Sequence, residues 1–143
     1  MKRLLTFAVL AVAAFACRKK DNKTQQCAYV PSYVDTIINL NDQNLNTLRT
    51  KGYAYLKGGY RGIIVHKESD TDYRAFERAS TYQMAEVGCP LVVDSSLFFM
   101  VDPCSKSKFD FDGFIMQGPA ICPLLEFKTS FVGSERLRIF YSL

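Results

Sequence analysis

Closely spaced chain breakers are the feature of this sequence that most restricts its fold. Beyond residue 27, Gly, Pro, Asp and Ser interrupt the apolar pattern every few residues, and the stretch 52–62 alone holds four glycines. Glycine costs about 1 kcal/mol relative to alanine inside a helix, so long helices are disfavoured here. The segments between the breaks alternate polar and apolar residues, as half-buried strands do. The sequence therefore predicts antiparallel β structure.

The alternating segments predict about eight to ten short strands that form an antiparallel β-sandwich or barrel. The first, 33–40, places its alternate apolar and β-branched side chains on one face. Further strands are predicted at 53–56, 62–66, 73–78, 91–93 and 97–101, in a hairpin around Asp112–Gly113, and in two last strands separated at Gly133–Ser134. Only 41–50 is expected to hold a helical turn.

The N-terminus is similar to a bacterial lipoprotein signal. Two basic residues precede an apolar run from 4 to 16, which is short for a membrane span but typical of a secretory signal peptide. A small residue, Ala16, then stands directly before Cys17. We therefore predict a signal peptide at 1–16 and a lipid on Cys17 that anchors the protein in the membrane. The alternative is a plain signal peptide, or an anchor helix with an incidental cysteine.

The charge of the chain is concentrated at its start. Residues 17–27 are predicted to be the lipidated Cys17 and a flexible tether, because the residues that follow Cys17 are polar and charged. Of 18 basic and 14 acidic residues, six basic and one acidic residue precede Cys27, which leaves 12 against 13 and a net charge of −1. A nucleic-acid partner requires clustered positive charge on the domain itself, so none is expected. The remainder, 28–143, has the length of one domain.

Four cysteines follow Cys17 in the sequence: Cys27, Cys89, Cys104 and Cys122. An even number in an exported chain predicts two disulfides. Four cysteines allow three pairings, and their spacing alone leaves all three open.

Three segments, in chain order, resemble the Rieske [2Fe–2S] domain. They are YRAFERASTYQ (73–83), DPCSKSKFDFDG (102–113) and QGPAICPLLEF (117–127), with RLRIFY near the end. That family has a first Cys-x-His loop after an aromatic-rich strand, a second Cys-x-x-His loop, and a Gly-Pro-Ala segment that precedes Pro-Leu. The resemblance covers most of residues 50–143 and implies a Rieske-like all-β fold.

The resemblance also implies where cluster ligands would lie. The two cysteine positions fall at Ser80 and Asp102, and the two histidine positions fall at Tyr82 and Ser105. A Rieske cluster requires two thiolates and two imidazoles. The chain has a single histidine, His66, and it stands outside both loops. We therefore predict that the [2Fe–2S] cluster is absent and that no other metal or cofactor replaces it.

One cysteine pairing follows from the same resemblance. Cys104 matches a non-ligand cysteine that, in the respiratory-complex branch of the family, forms a disulfide with a partner at the end of the first loop. Cys89 holds that place here, which leaves Cys27 to pair with Cys122. A Cys89–Cys104 bond would fasten the two loops in place of metal. A redox-active pair is the alternative, but reactive thiols usually lie beside a helix N-terminus or a cation, and this region predicts loop and strand.

Two further candidate sites lie between 66 and 72. His66 is a candidate base, but a lone histidine at a strand end is expected to be a surface or hydrogen-bonded residue. Glu68, Asp70 and Asp72 offer oxygen ligands for calcium, but the short run lacks the glycine bend of a calcium loop. A solvated turn is expected instead.

Three of the ligand positions and five phenylalanines are further candidates for a site or a contact surface. An oxygen-only metal site at Tyr82, Asp102 and Ser105 would have low affinity for iron or zinc, so a hydrogen-bonded loop tip is expected. Five phenylalanines of the second half are mostly expected in the core: Phe98, Phe99, Phe109, Phe111 and Phe114. Phe98 and Phe99 are adjacent and must point to opposite faces of their strand, so one of them is expected on an exposed patch.

These observations predict a bacterial cell-envelope lipoprotein, periplasmic or outer-membrane associated, whose cluster-free Rieske-like domain is a binding or structural module. Its partner would be another envelope protein or a glycan. We predict no enzymatic activity, because the sequence shows no Ser/His/Asp arrangement, phosphate loop or carboxylate pair. The alternative is a periplasmic redox protein that holds a [2Fe–2S] cluster through unusual ligands or cycles the Cys89–Cys104 disulfide.

Overall fold

The structure, a computed structural model, describes residues 27–30, 32–83 and 89–141 of the 143-residue chain. The predicted signal peptide, the predicted lipidation site Cys17 and nearly all of the predicted tether lie outside the described residues. Within those residues, no helix has the length and apolar character needed to cross a membrane.

Strands dominate the described residues, which confirms the all-β prediction. Ten strands are formed: β1 Asp35–Asn39, β2 Tyr53–Leu56, β3 Ile63–Lys67, β4 Tyr73–Glu77, β5 Val92–Val93, β6 Met100–Val101, β7 Lys108–Phe109, β8 Ile115–Gln117, β9 Glu126–Phe131 and β10 Arg136–Phe140. Between β1 and β2, a 3-10 turn at Gln43–Leu45 leads into the short helix α1, Asn46–Lys51.

The strands form two antiparallel sheets. Six of them make a large sheet in the order β1-β10-β9-β4-β3-β2, which together with α1 we call the large lobe. The other four, in the order β5-β6-β7-β8, make a small sheet that we call, with its connecting loops, the small lobe.

Strand β3 is buried on both faces because the two lobes pack against opposite sides of it. Ile63 and Val65 point into the core of the large lobe, whereas Ile64 points into the core of the small lobe. Phe76 of the neighbouring strand β4 also points into the small core. These strands thereby carry the small lobe and set the position of its loops.

The hairpin between β7 and β8 shows how local sequence fixes the small lobe. Asp110 closes the turn, since its side chain accepts the backbone N–H groups of Asp112 and Phe114. Gly113 has φ +82°, which a residue with a Cβ rarely adopts, and a Cβ there would also collide with the ring of Phe76. The predicted Asp-Gly turn is confirmed for this reason.

The β5–β6 connection is wider than the sequence predicted. Strand β6 begins at Met100 rather than at Leu97, because Asp94 pairs with Phe99 across the turn. Leu97 lies within the turn at φ +64°. Phe98 is 78% exposed, and Phe99 is half-buried. One of the adjacent phenylalanines is therefore exposed, as predicted.

Candidate functional site

The first loop leaves β4 at the end where the two lobes meet. The backbone N–H of Arg78 donates to Gly62, and Leu91 donates back to the carbonyl of Arg78. Ala79 forms an isolated bridge with Pro90, so the loop begins and ends at the same place. These contacts hold Ser80 against the start of the small sheet, where it is buried.

A buried carboxylate fixes the beginning of this loop. Glu77, fully buried at the end of β4, accepts the N–H groups of Tyr60 at 2.6 Å, Arg61 at 2.8 Å and Ala79 at 3.1 Å. It thereby connects the turn between β2 and β3 to the first loop. Glu77 was not among the residues predicted from the sequence. The signal that was available is an acid at an otherwise apolar strand end, preceded by a glycine-rich turn.

The second loop, 102–107, is organised around Asp102, which is fully buried. Its Oδ1 accepts the N–H of Cys104 at 2.8 Å, and its Oδ2 accepts the hydroxyl of Ser105 at 2.6 Å. Burial raises the pKa of Asp102, but the hydrogen bonds from Ser105, Ser80 and the backbone N–H of Cys104 outweigh it and hold the pKa below its usual value. Asp102 is therefore an ionised carboxylate inside the protein, and hydrogen bonds from neighbouring groups stabilise its charge.

Ser107 connects the second loop to the segment after β8. Its hydroxyl oxygen lies 2.9 Å from that of Ser105 and accepts the N–H of Ala120, also at 2.9 Å. Ser107 is completely buried. The sequence analysis missed it, because a serine in a polar loop carries no local signal of a contact with a distant segment.

Two disulfides join the loops to each other and to the start of the domain. Cys89 is bonded to Cys104 with their Cα atoms 5.8 Å apart, and Cys27 is bonded to Cys122 with their Cα atoms 5.7 Å apart. These are the pairings that the resemblance implied. Thr81 adds a hydrogen bond of 2.5 Å from its hydroxyl to the carbonyl of Cys122.

The structure brings three of the four predicted ligand positions together. Ser105 donates to Asp102 at 2.6 Å, and Ser80 lies near enough to Asp102 to help lower its pKa. Tyr82 takes part differently, because its backbone N–H donates to the Ser80 hydroxyl at 3.3 Å while its ring packs against the small core. The expected hydrogen-bonded loop tip matches the arrangement around Asp102.

These donors do not fit a [2Fe–2S] cluster of the Rieske type. The oxygens of Asp102 are already engaged, and the nearby sulfurs of Cys89 and Cys104 are bonded to each other. The side chains of Cys89, Asp102 and Cys104 do lie close to one another, since the Asp102 carboxylate is within 4.8 Å of both sulfurs. Such a cluster requires two thiolates and two imidazoles, and the two loops offer neither pair.

His66, the sole histidine, is not the surface or hydrogen-bonded residue that the sequence predicted. It lies in β3, and its ring stacks on Phe111 with the centroids 3.8 Å apart. Its Nδ1 is buried and has no hydrogen-bond partner. Burial lowers the pKa of His66, the Arg74 charge lowers it further, and Asp112 opposes both. Stacking from a distant turn takes the place of the predicted polar contact.

The acidic run after β3 forms an exposed turn, as expected. Lys67 pairs with Asp70 at 2.6 Å, and Glu68 closes the turn through its backbone. Among the other phenylalanines, Phe109 is buried and Phe111 half-buried. Phe114 is 62% exposed, against expectation, because it follows Gly113 on the outer side of the hairpin.

Comparison with known proteins supports the architecture. No family model matches the sequence, and no curated protein matches it. Among solved structures, the chain is similar to the cyanobacterial plasma membrane Rieske protein PetC3 from Synechocystis PCC 6803, with a TM-score of 0.55 and 22% sequence identity. The match covers 71% of this chain and 97% of that one. Sheet order, loop positions and this likeness together show that the chain has a Rieske-like all-β fold.

Proposed function

We propose that this protein is a cell-envelope lipoprotein, anchored through Cys17, whose Rieske-like domain works as a binding or structural module without an iron–sulfur cluster. One observation carries the proposal. The place that the resemblance assigns to the cluster holds Asp102 with its hydrogen bonds and the Cys89–Cys104 disulfide. Each of these groups already has a partner, so the loops are held together without metal.

The arrangement favours a rigid surface over a reactive centre. Asp102 and Ser107 are fully buried, and each has its hydrogen bonds satisfied within the loops. Buried and fully satisfied polar networks fix one conformation. A fixed second loop, 102–107, suits recognition of another envelope protein or a glycan. His66, the one histidine of the chain, is stacked on Phe111.

The metal content of the native protein tests the first part of the proposal. The full chain, isolated from its own envelope, is expected to be colourless and free of iron. A visible absorption band with iron bound in proportion to protein would overturn the cluster-free assignment. An Asp102→Cys, Ser105→His pair is a useful comparison, because it restores one ligand of each kind and still lacks the other two.

The anchor and the partner need separate measurements. Labelling with a radioactive fatty acid is expected for the native chain and absent from Cys17→Ser, which is expected to leave the membrane fraction. Crosslinking of the lipidated protein in its envelope, followed by mass spectrometry, is expected to capture a specific protein or glycan. Failure to label would remove the anchor from the proposal, and absence of any captured partner would remove the binding module.

A cycling disulfide is the second candidate, and the exposure of Cys104 favours it. The charge of Asp102 opposes it, because a carboxylate close to both sulfurs disfavours the negatively charged thiolate that attacks in disulfide exchange. The reduction potential separates the two. A value below roughly −300 mV is typical of structural disulfides, and a value well above it would favour the redox protein.

A further inference from the structure

We infer that the domain sits with its loop end against an anionic membrane surface. By loop end we mean the four segments 57–62, 78–83, 102–107 and 118–125, which surround the disulfides. The inference rests on the proposed anchor at Cys17 and adds the orientation of the domain and the chemistry of the surface that it contacts. Three independent features of the molecule support it.

The first feature is the place where the N-terminal chain joins the domain. Cys27 is bonded to Cys122, and the Tyr29 hydroxyl donates to the carbonyl of Pro123 at 3.0 Å. The described chain therefore begins at the loop end. Cys27 lies ten positions after Cys17. Ten residues span at most about 36 Å when fully extended. A lipid on Cys17 would therefore tether the domain by its loop end, and the charges and side chains described next would favour one end of the domain facing the bilayer.

The second feature is a separation of charge along the molecule. The loop end carries four basic residues, Lys57, Arg61, Arg78 and Lys106. Within the described residues none of them forms a salt bridge, although Arg78 is half-buried and donates to the carbonyl of Leu91. Two acids lie at this end, Asp102 in the second loop and Glu77, which accepts N–H groups of the 57–62 segment, and both are fully buried. Glu86 belongs to 84–88, outside the described residues.

The opposite end carries the acids. Strand β4 runs from the turn 68–72 to the first loop, and its five residues separate these two ends by roughly 15 Å at the usual rise per residue. The turns 68–72, 110–113 and 132–135 contain six acidic and no basic residues: Glu68, Asp70, Asp72, Asp110, Asp112 and Glu135. Lys67 and Arg74 on the adjoining strands pair with some of these carboxylates. Arg49 and Lys51 of α1 lie at the same end, so acids exceed bases there but are not alone. We call these three turns the turn end.

This polarity fits a negatively charged lipid surface. Each basic side chain near an anionic leaflet contributes about 1 kcal/mol, and the attraction fades within a Debye length. The basic tether, with Arg18, Lys19, Lys20 and Lys23, adds to the attraction on the same side. The acidic turn end would be repelled, so the charges favour one orientation.

The third feature is an apolar side chain at the tether junction. Ile121 is 55% exposed although both neighbours in sequence, Ala120 and Cys122, are buried. A single exposed apolar residue is ordinary on a protein surface. Its position beside the Cys27–Cys122 bond places it where the headgroup region would lie. The inferred membrane contact is therefore made by the basic side chains of the loop end and by the apolar side chain of Ile121.

The chain lacks tryptophan, which allows a direct test with single-tryptophan probes. We would place Ile121→Trp at the loop end and Ser134→Trp at the turn end in the full lipidated chain. Both proteins would be reconstituted in phosphatidylcholine vesicles with brominated acyl chains, with and without phosphatidylglycerol. We expect quenching and a blue shift of Ile121→Trp, increased by phosphatidylglycerol, and neither for Ser134→Trp.

Two further variants keep the test decisive. Tyr60→Trp, a conservative change in the 57–62 segment of the loop end, is expected to be quenched if Ile121→Trp should fail to fold. Reversal of charge in Lys57→Glu with Lys106→Glu is expected to remove the effect of phosphatidylglycerol. Lys51→Glu, in α1, is the matched control and is expected to leave it unchanged.

The outcomes separate the anchor from the orientation. Equal quenching at both ends, or quenching of Ser134→Trp alone, in a chain that carries its fatty acid would overturn the orientation and leave the anchor intact. A chain without fatty acid label would overturn the anchor, and the orientation with it. Quenching of the loop-end probes that is insensitive to lipid charge would overturn the anionic surface.

Discussion

The two lobes reach stability by different means. Strands of the large sheet have four to six residues, pair in continuous register and enclose a core of twelve buried residues. Strands of the small sheet have two or three residues, and its buried core has eight members, two of which, Ile64 and Phe76, belong to the large sheet. The small lobe therefore borrows part of its core.

A disulfide and a buried carboxylate supply what the short strands do not. The Cys89–Cys104 bond joins the loops at the ends of the small sheet, and Asp102 holds the second loop through three donors. The large lobe also has a fully buried carboxylate, Glu77 at the end of β4, but Glu77 serves the adjoining loops and is not part of the apolar core. Where apolar burial is small, covalent and polar contacts hold the fold, as in other small disulfide-bonded domains.

Paired core truncations give the largest expected effects and test whether the lobes unfold separately. Phe127→Ala in the large lobe and Phe109→Ala in the small lobe remove rings that are 1% and 0% exposed. Each is expected to lower the free energy of unfolding by about 3–5 kcal/mol. Hydrogen exchange is expected to show opening throughout the protein for Phe127→Ala, and opening confined to β5–β8 for Phe109→Ala. Identical exchange patterns would mean that the lobes form one cooperative unit.

Removal of the loop disulfide is the next largest change. Cys89→Ala with Cys104→Ala opens a link between residues 15 apart in sequence. The chain-entropy estimate for such a loop is about 3 kcal/mol of stability. Chemical denaturation measures the loss, and exchange of the 102–107 amides is expected to rise. Unchanged exchange in β9 and β10 is the internal control, and increased exchange there would contradict the division into lobes.

Neutralising Asp102 is expected to cost less than losing the disulfide. Asp102→Asn weakens the hydrogen bonds from Ser105, Ser80 and the N–H of Cys104, and bonds to a charged group contribute about 1.5–3 kcal/mol. Because the folded pKa lies below the ordinary 3.8, this contribution is present above that value and is lost as the pH falls through the folded pKa. Denaturation midpoints against pH measure both effects.

Asp94→Asn is the matched control for that experiment. Asp94 also accepts a loop N–H, that of Ser96, but it is half-exposed. Its replacement is expected to change stability by less than that of Asp102. A control effect as large as the effect at Asp102 would show that burial of the carboxylate is unimportant.

Protonation of His66 is expected to have the smallest effect and acts at the contact between the lobes. Its folded pKa is lowered from 6.5, so neutral His66 favours the folded state. Stability is fully present above pH 6.5 and decreases as the pH falls toward the folded pKa. His66→Phe keeps a ring against Phe111 and is expected to abolish this decrease in thermal unfolding measurements. The same decrease in His66→Phe would assign it to other groups.

Local chemistry made most of the fold predictable. The Asp112–Gly113 hairpin and the absence of long helices from the described residues follow from turn residues and from glycine, which act within a few positions. Helix α1 ends before Gly52 at φ +79°, a left-handed position that glycine occupies readily. The late start of β6 was not predictable, because Leu97 adopts positive φ only under the constraint of the Asp94–Phe99 turn.

The site was predictable only in part. Resemblance brought Asp102 and the paired cysteines together, because their places in the two loops are defined by sequence order. Ser107 and the stacking of His66 on Phe111 depend on contacts between segments that are distant in sequence. No local pattern encodes such contacts.

The spacing of the cysteines sets the order in which the two disulfides can form during synthesis. Cys89 and Cys104 can meet as soon as the short segment between them has emerged, but Cys27 must wait for Cys122, 95 positions later. The first cysteine of the domain thus remains unpaired while almost the whole polypeptide is synthesised. An oxidant that acted too early would find Cys27 beside Cys89 or Cys104 and would join the wrong partners.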